Sequence, residues 1–91
     1  MRITSVNVRK MFDTDPLRAV VSITIDDELA IHDIKVIHAR DSYFVTMPSR
    51  MAKDGSRHDI AHPINTKFRG CIEKAILDEY NAQLAANKEE I

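Results

Sequence analysis

The spacing of hydrophobic residues changes along the chain and divides it in two. In the first half the period is two. Ile3 to Val8 is short and rich in β-branched residues, which predicts a strand. Arg18 to Asp26 alternates, with Ala19, Val21, Ile23 and Ile25 on one side and Ser22 and Thr24 on the other. That is the pattern of a half-buried strand. Leu29 to Ala39 is a third strand whose parity slips: Leu29 and Ile31 keep one phase, and Ile34 and Val36 take the other. One extra residue near His32-Asp33, a β-bulge, would restore a common face. Tyr43 to Met47 is a fourth strand, ended by Pro48. The connections carry turn residues, Phe12-Asp13-Thr14-Asp15-Pro16, Asp26-Asp27-Glu28 and Asp41-Ser42.

From Asn65 the period lengthens. Phe68, Ile72, Ile76 and Tyr80 recur every four residues, with Cys71, Ala75 and Leu84 beside them. This predicts one helix from Thr66 to about Ala86, with Asn65 as N-cap and an apolar stripe that covers one face of a sheet. In between, Ser49 to Arg57 reads as a polar loop around an Asp54-Gly55 turn, and His58 to Ile64 as extended chain. Residues 1–86 form one domain, and 87–91 read as a frayed tail. The fold class is α+β: an antiparallel sheet of about four to five strands, one bulged, followed by a long C-terminal helix packed on it.

Composition adds bounds. Ninety-one residues with 44% hydrophobic and 30% charged side chains suit one globular domain. A chain this short buries a modest core, so self-association would help it. Its one cysteine, Cys71, precludes an internal disulfide. No apolar run approaches the roughly 18 residues that span a membrane, and Met1 to Val6 lacks a signal-peptide core. The expectation is a soluble, cytoplasmic protein.

Candidate chemistry is sparse. Arg57 to Asn65, "RHDIAHPIN", holds two histidines and an acid at spacings that suggest a metal site on a helix. Pro63 keeps His62 out of helical backbone. On a strand, His58 and His62 would share a face about 13 Å apart, at roughly 3.3 Å per residue. Two ligands of one zinc must each come within about 2 Å of it, so no metal site is assigned. Cys71 on the helix stripe reads as a small core residue rather than a nucleophile. Ser49 has no His or Asp placed to activate it, and His32 and His38 read as ordinary strand residues. Two glycines, Gly55 and Gly70, cannot build a glycine-rich phosphate loop. The expectation is no enzyme and no cofactor.

Charge is more informative in its layout than in its total of −1. Residues 47–74 carry six Lys/Arg against Asp54, Asp59 and Glu73, a net of +3, whereas residues 75–91 carry Lys88 against four acids, a net of −3. The positive stretch is one loop plus the first helical turns: Arg50, Lys53, Arg57, Thr66, Lys67 and Arg69. A helix N-terminus already favours anions, so added lysine and arginine there suit a phosphate site; on charge alone the alternative is a solvated loop.

These same residues carry a resemblance. "YFVTMPSR" (Tyr43 to Arg50), the Asp54-Gly55 pair and "RHDIAHPIN" resemble the signature of the stage V sporulation protein G family, SpoVG. Upstream, Leu17 to Ile37, with His32-Asp33-Ile34, is similar to the family's paired strands. The resemblance runs from Met1 to about Tyr80. It implies a homodimeric bacterial regulator, linked to sporulation, asymmetric septation and gene expression, that binds DNA and/or RNA. It further implies contacts from the loop after Met47-Pro48-Ser49 and from the helix start, with Arg50, Arg57 and Arg69 at the matching basic positions. The chain departs from the pattern at Met51, where many relatives carry lysine, with Lys53 two residues later. The mechanism implied is neutralisation of phosphates with counterion release. The alternative is a protein–protein interaction module acting in cell division without direct nucleic-acid binding.

Overall fold

The computed structural model describes residues 1–89, with side chains through Ala86. Four strands form one antiparallel sheet in chain order: β1 (Ile3–Met11), β2 (Leu17–Ile25), β3 (Leu29–Ala39) and β4 (Ser42–Thr46). A separate hairpin follows, β5 (Ser49–Met51) with β6 (Arg57–Asp59), and then the helix α1 (Thr66–Glu89). The class is α+β, as the periodicities predict. The helix runs three residues past Ala86. The tail expected at 87–91 is therefore helical in backbone to Glu89, and its last two residues lie outside the described ones.

Local chemistry explains the boundaries. At the β3–β4 turn, Arg40 and Asp41 both take positive φ, 53° and 62°, as a two-residue hairpin requires. Asp26 and Asp27 do the same at the β2–β3 turn. The turn is tied to the start of β1: Asp26 Oδ1 accepts from the Arg2 amide at 2.9 Å, and Thr4 Oγ1 from the Asp27 amide at 3.0 Å. The bulge falls where parity predicts it. Ile23 opposes Ile31 and Val21 opposes Ile34, so Ser22 faces both His32 and Asp33. Asp33 takes φ 62°, and Ser22 Oγ pairs with His32 Nδ1 at 2.8 Å.

Strand β1 is three residues longer than its sequence pattern indicates. Register shifts at Thr4 and Arg9 each insert an extra residue, and the second returns Met11 to the core side, opposite Ala19. The region after β4 also differs. Ser49 to Arg57 is not all loop, and of the chain expected to be extended, His58 to Ile64, only His58 and Asp59 lie in a strand. Two three-residue strands pair instead, Ser49 with Asp59, Arg50 with His58 and Met51 with Arg57.

The helix lies across one face of the sheet. Ala19, Val21, Ile23, Ile25, Ile34, Val36 and Val45 from the strands, with Met47, bury against Ile72, Ile76 and Tyr80. Removing each large aliphatic side chain from water contributes about 1.5–3 kcal/mol. Tyr80 is fully buried, and its phenol oxygen accepts from Arg18 Nε at 3.2 Å, which satisfies the group at the core's edge. That bond, ahead of the nearby Asp15 charge, raises the Arg18 pKa above its usual value. Asp15 also meets His38 Nδ1 at 3.0 Å, and His38 stacks on Tyr43 at 4.4 Å. Among the described residues no helix lies over the opposite face of the sheet.

Candidate nucleic-acid interface

The β5–β6 hairpin is short, and its loop is built to hold one shape. The Ala52 amide donates to Ser56 O at 2.7 Å and the Gly55 amide to Ala52 O at 3.0 Å. Gly55 has φ 87°, a backbone region that penalises side-chain-bearing residues. Asp54 Oδ1 accepts from both the Ser56 amide (3.0 Å) and the Ser56 hydroxyl (2.6 Å). Those bonds, the hydroxyl's first, hold the Asp54 carboxyl below the ordinary aspartate pKa. Ser56 Oγ also pairs with His58 Nε2 at 2.9 Å. Because the hydroxyl proton is given to Asp54, Nε2 is the donor in that contact. The Ile60 amide continues the ladder to Pro48 O at 2.7 Å.

This scaffold presents Arg50, Lys53 and Arg57, all exposed. Alternation along so short a ladder sends them apart. Arg50 sits with His58 on one side. Arg57 sits with Met51 on the other, where its Nη1 donates to Ser49 Oγ at 3.3 Å. Arg57 also lines a groove of about 460 Å³ with Lys35, Thr46, Ser49 and Asp59 over Leu17 and Ile37. The two arginines therefore share one hairpin but open onto different surfaces.

Thr66, Lys67 and Arg69 are exposed on the first turn of α1, which contains no acid. Asn65 caps that turn, its Oδ1 accepting from the Phe68 amide at 2.9 Å. The Phe68 amide is thus occupied and closed to an anion; those of Thr66 and Lys67 lack an intrahelical acceptor. Among the described residues the ion pairs are Asp15 with Arg18 and with His38, and Lys74 with Asp78. None of the five predicted cations belongs to one, so their charges are free to meet a phosphate.

Two features escaped sequence reasoning. Cys71 is exposed, not core. It lines an apolar groove of about 700 Å³ with Met1, Ile25, Leu29, Met47, Pro63, Ile64 and Phe68. Helical spacing places residue 71 beside the stripe, but no element covers that flank. His62 lines this groove too, whereas His58 is engaged with Ser56. The second is Phe44, 44% exposed on the helix-free face. Its position follows from register alone, through pairing with Ile37.

Comparison with known proteins adds the family. A family model described as SpoVG matches residues 1–82. The chain is 54% identical over 80 residues to a protein of Lachnospira eligens, covering 88% of this chain and 91% of that one. It is 48% identical over 89 residues to one of Acetivibrio thermocellus (98% and 95% covered). It is 51% identical over 80 residues to one of Caldanaerobacter subterraneus subsp. tengcongensis (88% of each). All three carry the name "Putative septation protein SpoVG". With four-fifths or more of its length matched in each comparison, this chain belongs to the SpoVG family.

Proposed function

We propose that the protein is a small bacterial regulator that binds nucleic acid, DNA and/or RNA, and acts in septation and sporulation-linked gene expression. Septation comes from the names of its relatives. Binding is supported by one observation above all: Arg50, Lys53, Arg57, Lys67 and Arg69 are exposed and outside every ion pair among the described residues, on a preformed hairpin and a helix start. Each cation neutralises a phosphate and releases condensed counterions, so affinity falls with salt. Three to five phosphate contacts per subunit give weak binding alone. A homodimer doubles them, and the apolar groove around Cys71, rimmed by Met1, Leu29 and Ile64, is the sort of surface that a second copy covers. The reading assigns no catalytic step and no cofactor. It places the protein in the cytoplasm, in keeping with the lack, among the described residues, of a helix long and apolar enough to cross a membrane.

The test is fluorescence anisotropy with labelled double-stranded DNA, single-stranded DNA and RNA, at 50 and 200 mM salt. With three to five contacts per subunit, six to ten in the dimer, duplex affinity falls roughly 10³- to 10⁵-fold between those conditions. A folded protein that binds none of the three at 50 mM salt refutes the proposal. That same groove favours the second reading, a protein-interaction module in cell division, which such a result would leave standing.

A further inference from the structure

We propose that the sheet face opposite the helix is a stacking platform for single-stranded nucleic acid, with Phe44 under a base and Lys10, Lys35 and Arg57 against phosphates. This rests on the nucleic-acid reading and adds to it a second surface and a strand type.

Register defines the face. Lys10 opposes Val20, Val20 opposes Lys35, and Lys35 opposes Thr46, so one row crosses all four strands. Neighbouring strands lie about 4.8 Å apart, which places the two lysine backbones about 10 Å from each other. The next row is apolar: Phe44 opposes Ile37, and Ile37 opposes Leu17. Lys35 is half-buried and lines the 460 Å³ groove with Arg57, two cations against Asp59 alone. Apart from Asp33 at the bulge and Asp59 in β6, no acid occupies a strand position on this side; Ser5, Asn7, Ser22 and Thr24 fill the rest of its centre.

That composition selects the occupant. An exposed aromatic ring beside backbone-neutralising cations is the usual arrangement for single strands, whose bases are free to stack, while a duplex hides its base faces. A second copy of the chain fits less well. A two-fold contact sets a patch against itself, and here it would bring Lys10, Lys35 and Arg57 towards their copies with only Asp33 and Asp59 on the face to pair them.

Phe44→Trp introduces the chain's sole tryptophan. Titrated with an oligothymidylate, it should be quenched in parallel with the anisotropy of the labelled strand. Phe44→Ala should lower affinity for that strand by about fivefold or more, the scale of one lost stacking contact, and Lys35→Glu should also weaken it. Unquenched tryptophan together with native affinity in Phe44→Ala would overturn the proposal, even where Arg50→Glu still abolishes binding and the broader reading stands. Absence of any binding by the native protein would overturn both. A dimer that Phe44→Ala converts to monomer would assign this face to self-association and overturn the platform.

Discussion

At the scale of single residues, the sharpest feature is how the polar side chains near the basic segment are used. Asn65 caps α1 through the Phe68 amide, and Asn65→Ala should cost about 1 kcal/mol in chemical denaturation, within the range of roughly 0.5–2 known for caps. Asp54 accepts twice from Ser56. Its folded pKa is lowered, so its stabilising effect is complete above the ordinary aspartate pKa. That effect is lost as pH falls through that value towards the lowered one. An NMR titration should find the Asp54 carboxylate ionised below the usual aspartate range, and Ser56→Ala, which removes the hydroxyl bond but keeps the backbone amide's, should raise it part of the way back; a normal value in the native protein would contradict the hydrogen-bonded turn. Cys71→Ser should change stability by no more than about 0.5 kcal/mol, as for other exposed positions. The cap and the Asp-Gly turn are legible in sequence because each is a local signal. The exposure of Cys71 is not, since it depends on a flank that no other element happens to cover.

At the scale of elements, alternation read β2, β3 and β4 closely because alternate residues there are buried in the core: Ala19, Val21, Ile23 and Ile25, Ile34 and Val36, and Val45. The same rule stopped β1 at Val8, since the bulge at Arg9 breaks the alternation before Met11 resumes it. The hairpin was hidden for another reason: three-residue strands are too short to show any period, and only the turn between them left a mark. Burial is concentrated where α1 crosses the sheet. Ile76, fully buried there, should cost about 2–5 kcal/mol as Ile76→Ala, read as a lower denaturation midpoint. A loss below 1 kcal/mol would mean that the helix does not pack on the sheet as described.

At the scale of the whole molecule, the charge total is near zero but its layout is not. The cations stand in the hairpin and first helical turn, and the acids gather towards the end of α1. The six candidate residues could be collected from sequence as one basic stretch. That Arg50 and Arg57 open onto different sides of their hairpin could not, since strand pairing decides it. If both sides act, Arg50→Glu and Arg57→Glu should each weaken binding and together do so additively in free energy, as independent sites do. The most direct measurement is the affinity of native and Arg50→Glu proteins for labelled nucleic acid at 50 mM salt, with thermal denaturation run alongside. The account predicts at least a tenfold loss in the variant at an unchanged melting temperature, and a shallower dependence on salt. Equal affinities from two folded proteins, with equal salt slopes, would contradict it.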